Sequence, residues 1–92
     1  MPAFDWDEAN TKHLERHRVT PKEAEEAILD PHSVLLDIQM IKMEERFRAA
    51  GMTATGRILT LVFTFRGEAI RPITARDADS KPREIYFAGR GA

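Results

Sequence analysis

The chain has 92 residues and a formal net charge of −1, so we expect one domain over residues 1–92 with a single core, and two domains are excluded. Hydrophobic residues make up 42% of the sequence and cysteine is absent, which excludes a disordered chain, a disulfide framework, a thiolate zinc site and a cysteine nucleophile. No apolar run approaches the ~20 residues of a membrane helix, and the N-terminus lacks the basic and apolar regions of a signal peptide. We therefore expect a cytoplasmic protein.

Two helices are predicted in the first third of the chain. Asp5 or Asp7 can cap a helix that runs to about His17. The segment Thr20-Pro21-Lys22-Glu23 has the pattern of a capping box with proline at the first helical position, and Asp30-Pro31 ends the second helix.

Four strands follow, because the apolar period changes to two. The first strand begins at Ser33, and the other three extend over residues 45–53, 57–66 and 69–76. We expect them to form an antiparallel meander. The two helices are expected to cover one sheet face through Leu59, Leu61 and Phe63, which leaves the opposite face partly open. Pro72 cannot donate a ladder hydrogen bond, so its strand is either an edge or bulged there.

A closing helix is predicted from a cap at Asp79 to an end at Gly89 and Gly91. Tyr86 on this helix could act as an acid, but core packing is its more typical role. The predicted fold class is α+β, with two N-terminal helices, a four-stranded antiparallel sheet and a C-terminal helix.

Charge is distributed unevenly along the sequence. Residues 1–44 carry 5 Lys and Arg against 10 Asp and Glu, whereas residues 45–92 carry 9 against 5, so the net charges are −5 and +4. Eight of the nine cations in the second part are arginines, whose planar guanidinium matches the geometry of phosphate oxygens. The pattern favours a surface that faces phosphate groups, and a solvated strand face that carries arginine is the alternative.

The three histidines allow two kinds of site. His13 and His17 are four residues apart on the first helix, so both could bind one metal ion with His32 as a third ligand, but this spacing also arises by chance. For His13 we favour a hydrogen-bonded core position. His17 could transfer a proton in RNA cleavage, because imidazole titrates near neutral pH.

RNA cleavage without a metal also requires cations beside the crowded phosphorane. Basic residues of the strands and the closing helix can supply them if these elements meet the end of the first helix. The predicted catalytic residues are His17, Arg71, Arg76 and Lys81, and the predicted RNA-binding residues are Arg46, Arg48 and Arg83.

Several short segments follow one another in the order and spacing of a known family. They are Trp6-Asp7-Glu8, Asn10, His13, Arg16-His17-x-Val19, Pro21-x-Glu23-Ala24-Glu25-Glu26, Glu45-Arg46 and Ile73-Thr74-Ala75-Arg76-Asp77. Over residues 4–86 the chain resembles the BrnT toxins. The resemblance implies a RelE-like fold and a ribonuclease that needs no metal or cofactor and arrests translation. It also implies a hetero-oligomer with a BrnA-like antitoxin. In this complex only the antitoxin would contact operator DNA.

The sequence departs from the family pattern at positions that bear on activity. Arg18 stands where a glycine commonly follows the histidine, Pro72 replaces a β-branched residue, and Ser80 and Glu84 reduce the positive charge of the closing helix. A second hypothesis is therefore a module that binds an antitoxin and cleaves RNA weakly or not at all. A third is a nucleic-acid-binding regulator that needs no partner.

Overall fold

The elements are α1 (Glu8–Glu15), α2 (Pro21–Leu29), β1 (Val34–Ile41), β2 (Glu44–Met52), β3 (Ile58–Arg66), β4 (Ala69–Asp77) and α3 (Ser80–Arg90). They are seen in a computed structural model, which describes residues 2–90. The strands form one antiparallel sheet in the order β1-β2-β3-β4. The predicted α+β architecture is confirmed.

Both N-terminal helices begin at capping boxes. At α1 the Asn10 N–H donates to the Asp7 carboxylate, and the Asp7 N–H donates back to the Asn10 side chain. Thr20 and Glu23 form the same arrangement at α2. The predicted extension of α1 to His17 is wrong, because the chain leaves the helix after Glu15 and turns through Arg18 toward α2.

One face of the sheet is covered by α1 and α2. Leu59, Leu61 and Ala75 of the sheet are fully buried there against apolar residues of the two helices and their connection, namely Leu14, Val19, Ala24 and Ala27. Phe63, which was also expected beneath the helices, lies outside this cluster. It is half-buried and stacks on Phe47, with ring centroids 5.6 Å apart.

The opposite face, to which the alternate strand residues point, is covered in part by α3. Tyr86 of α3 is fully buried and packs against Ala50 and Ile58. Its hydroxyl donates to the Asp30 carboxylate. Tyr86 therefore has the packing position that the sequence favoured.

Pro72 lies on an edge strand and also at a bulge. β4 pairs with β3 alone among the named strands, and the register shifts between Val62 and Phe63, where Phe63 lies opposite Pro72. Residues 3–5 line the free edge of β4, where Ala3 and Asp5 exchange backbone hydrogen bonds with Ile70. Both explanations for the proline therefore apply.

The C-terminal helix is longer than predicted. α3 continues through Gly89 to Arg90, so an end at Gly89 is wrong, and Gly91 lies outside the described residues. Gly89 stays helical beside Val34, where an added Cβ would meet only the end of the Val34 side chain at 3.4 Å. None of the helices within residues 2–90 has the length and apolar character to cross a membrane.

Candidate functional site

A cleft of about 270 Å³ opens at the end of the sheet where β2 begins and β3 ends. One side is formed by α1, and the other by charged residues of β2, β3 and β4. We call it the α1 cleft, and its lining residues are Ala9, Asn10, His13, Glu44, Arg46, Arg66, Arg71, Pro72 and Ile73.

Asn10 attaches α1 to β4 and so fixes one wall of the α1 cleft. Its side chain is 4% exposed, and its Nδ2 donates to the carbonyl oxygens of Asp5 and Pro72 at 3.0 and 2.9 Å. His13 lies three residues further along the helix, on the same side. The predicted hydrogen-bonded core position of His13 is therefore occupied by Asn10, and His13 is half-buried at the cleft wall.

Arg71 is held in the α1 cleft by two carboxylates. Its Nη1 lies 3.0 Å from Asp7 Oδ2 and 3.5 Å from Asp5 Oδ2, and the Arg71 side chain is only 15% exposed. The hydrogen bond from Arg71 lowers the pKa of Asp7, helped by the backbone N–H of Asn10. The carboxylate that caps α1 therefore also orients the Arg71 guanidinium.

Arg46 and Arg66 share one carboxylate. Glu44 Oε1 accepts a hydrogen bond from Arg46 Nε at 3.3 Å, and Glu44 Oε2 lies 3.4 Å from Arg66 Nη2. The α1 cleft thus combines an imidazole, a carboxylate and three guanidinium groups. This set can bind a phosphate group and exchange protons with it, provided that phosphate displaces part of the carboxylate pairing.

Two of the predicted site residues, Arg46 and Arg71, are brought together in the α1 cleft. His17 lies four residues beyond His13, after the end of α1. Its ring centroid is 5.8 Å from that of His13, and its carbonyl oxygen accepts a hydrogen bond from Arg57. The structure therefore brings His17 beside the cleft but not into its lining.

Arg76 has different surroundings. The side chain of the preceding residue, Ala75, packs beneath α1 and α2, so Arg76 points to the opposite face, where it lies 3.6 Å from Asp79. Arg71 and Arg76 pair with Thr64 and Thr60 of β3, so they are about 13 Å apart along the sheet at roughly 3.3 Å per residue. The expected convergence of His17, Arg71 and Arg76 on one phosphate is not found. In this register both arginines point to the same face of the sheet, but distance along the strand separates them.

The remaining predicted cations lie near α3. Lys81 and Arg48 line a groove of about 350 Å³ between β1 and α3, where Arg48 is paired with Asp37 at 2.8 Å. Arg83 lies over the ring of Phe87 at 5.7 Å from its centroid. Their predicted roles in RNA binding or catalysis therefore concern a surface other than the α1 cleft.

The three histidines do not form a common site. His32 lies in a separate pocket with Asp30 and Tyr86, away from His13 and His17. Within residues 2–90, no three His, Asp or Glu side chains are grouped closely enough to hold a metal ion.

Sequence reasoning missed His13, Glu44 and Arg66 as members of the cleft. Two spacings carried the signal. Asn10 and His13 are three residues apart on a helix, and Glu44 and Arg46 are two apart on a strand, so each pair shares a face. These spacings could not identify Arg66, because its pairing with Glu44 depends on how the ends of β2 and β3 meet.

The family model described as "Ribonuclease toxin, BrnT, of type II toxin-antitoxin system" matches residues 6–82. No curated protein matches the chain. Because the match covers most of the sequence and every element from α1 to β4, the chain belongs to the BrnT family of ribonuclease toxins.

Proposed function

We propose that this member of the BrnT family cleaves RNA in the α1 cleft without a metal ion, arrests translation, and is neutralised by a BrnA-like antitoxin. One domain over residues 1–92 carries this activity. The observation that supports the site most directly is that His13 shares a cleft with Arg46, Arg66 and Arg71. A chain of a ribonuclease toxin family needs such a combination of a proton-transfer group and phosphate ligands.

The reaction is a transfer of the phosphate within the RNA. The ribose 2′-oxygen loses its proton and bonds to phosphorus, and the bond from phosphorus to the 5′-oxygen of the next nucleotide breaks as that oxygen gains a proton. His13 handles one of these protons and Glu44 is the candidate for the other. The guanidinium groups of Arg46, Arg66 and Arg71 stabilise the charge on the pentacoordinate phosphorus.

One observation favours the second hypothesis, a toxin-fold module with weak or no nuclease activity. Every arginine of the α1 cleft is already paired with a carboxylate: Arg71 with Asp5 and Asp7, and Arg46 and Arg66 with Glu44. RNA phosphates must compete with these carboxylates. We therefore expect cleavage to weaken steeply as salt rises, because screening reduces phosphate binding.

The experiment that tests the proposed function incubates purified protein with RNA in EDTA. The wild type should cleave the RNA, and His13→Ala should lower the rate by about 10²- to 10⁴-fold, the usual contribution of one proton-transfer group. Arg71→Ala should lower it by about 10²- to 10³-fold. His32→Ala removes an exposed imidazole outside the α1 cleft and serves as the matched control.

The same assay decides the role of the residues predicted from the sequence alone. His17, Arg76 and Lys81 remain candidates for catalysis, and each is replaced by alanine in parallel. If His17→Ala loses cleavage and His13→Ala keeps full activity, then His17 and not His13 transfers the proton. If the wild type leaves RNA intact at low salt, the enzyme hypothesis is rejected and the hypothesis of an antitoxin-binding module remains.

A further inference from the structure

β1 is an open edge of the sheet. The other edge, β4, is lined by residues 3–5, whereas β1 pairs with β2 and with no other strand among residues 2–90. The register between β1 and β2 shifts between Leu35 and Asp37, which leaves residues 37–41 as a regular segment. The outward N–H and C=O groups of such a segment can accept another strand.

The regular segment also exposes apolar side chains. Ile38 is 51% exposed and Met40 is 66% exposed. Ile38 lies opposite Phe47 of β2, and Phe47 lies opposite Phe63 of β3, so these three residues form one row across the sheet. Because α1 and α2 cover only the other end of this face, the row ends uncovered at β1.

We propose that β1 pairs with β1 of a second copy of this chain, antiparallel and around a two-fold axis at Gln39. The segment is self-complementary in this register. Ile38 lies opposite Met40 of the second copy on one face, and Asp37 lies opposite Ile41 on the other, so no like charges meet. Gln39 lies opposite Gln39, and an amide can both donate and accept across the axis.

This register joins the two sheets into one, and the row of Ile38, Phe47 and Phe63 ends against Met40 of the second copy, which is itself paired with Glu45. None of the residues that line the α1 cleft belongs to β1, so pairing leaves the cleft open. The dimer is therefore independent of the proposed nuclease function. A single short strand pair buries less than the ~1,600 Å² of a standard interface, so we expect a reversible dimer.

Sedimentation equilibrium of the purified chain tests the dimer over concentrations up to about 1 mM, the weak end of specific association. Gln39→Glu and Gln39→Lys each place two like charges at the axis, and each should weaken association at least tenfold. An equal mixture of the two variants should restore association, because glutamate then faces lysine. Glu68→Lys adds a positive charge in the turn between β3 and β4 and should leave association unchanged.

Circular dichroism of each variant separates loss of pairing from loss of folding, and RNA cleavage by the variants should equal that of the wild type. A wild type that stays monomeric at every concentration would overturn the proposal. So would like-charged variants that dimerise as well as the wild type, or a mixture that does not restore pairing. If the β1 edge binds only a strand of a different protein, the purified wild type stays monomeric, and this result would count against the dimer.

Discussion

Arg18 occupies a backbone conformation that usually belongs to glycine. Its φ is 56°, and it ends α1 in a Schellman motif: the Val19 N–H donates to the Leu14 carbonyl, and the Arg18 N–H donates to the Glu15 carbonyl. The contact between Val19 and Leu14 in the core completes the motif. The side chain of Arg18 is exposed, so its substitution changes the backbone energy and little else.

Arg18→Gly should therefore stabilise the protein by about 0.5 to 1 kcal/mol, because glycine adopts the left-handed region without steric cost. Urea unfolding measures this difference. Arg16→Gly is the matched control, since Arg16 has a right-handed helical φ of −59° and glycine there should lower stability. Equal effects of the two substitutions would contradict the account of this helix end.

Asp30 is the carboxylate that joins α2, β2 and α3. Burial alone would raise its pKa, but hydrogen bonds from the Tyr86 hydroxyl and from the N–H groups of His32 and Met52 lower it overall. A carboxyl with a lower pKa in the folded than in the unfolded state stabilises the fold at neutral pH. That contribution is lost as pH falls below about 4 toward the folded pKa.

Tyr86→Phe removes one donor to this carboxylate and should lower stability at neutral pH by about 1 kcal/mol. It should also make the loss of stability between pH 5 and 3 shallower than in the wild type, as followed by urea unfolding at several pH values. An unchanged pH dependence would show that Tyr86 does not influence Asp30.

At the scale of elements, the contact between α2 and β2 depends on Gly51. A Cβ at this position would lie 2.0 Å from the carbonyl oxygen of Ala27 and 2.8 Å from its carbonyl carbon. Both are backbone atoms of α2, so the whole helix would have to move away from the sheet. Glycine is required here by close approach, since no side chain could give way.

Gly51→Ala should destabilise the protein by about 1 to 3 kcal/mol or more, the usual effect of overpacking. Gly89→Ala should have the opposite sign, since Gly89 lies in α3 with room for a methyl group, and alanine is the better helix former by about 0.5 to 1 kcal/mol. Thermal unfolding of the two variants compares them directly. A stable Gly51→Ala protein would contradict the observed distance between α2 and β2.

Local sequence signals located most elements. The capping box at Thr20, the alternation of β3 and the proline of β4 each act through neighbouring residues, so they could be interpreted without the fold. The turn between β1 and β2 gave no such signal: Lys42 and Met43 have φ values of 50° and 66°, which neither residue type favours. The pairing of β1 with β2 imposes this turn.

At the scale of the whole molecule, the sequence predicted two residues of the candidate site but not how the other predicted residues lie relative to them. Arg46 and Arg71 were assigned to a phosphate site, and both line the α1 cleft. Arg76 and His17 were placed with them, but that placement depended on where the ends of α1 and β4 meet in space. Helical and strand periods fix which residues share a face, and they do not fix which elements end side by side.

The proposed function requires RNA phosphates to bind in the α1 cleft. NMR titration with an RNA oligonucleotide methylated at its 2′-oxygens, which cannot be cleaved by this reaction, measures the location directly through changes in side-chain chemical shifts. We expect the largest changes at the His13 imidazole and the Arg46 and Arg71 guanidinium groups, and small ones at Lys81 and Arg48. Changes confined to the groove of Lys81 and Arg48 beside α3, with His13 and Arg71 unaffected, would contradict the account.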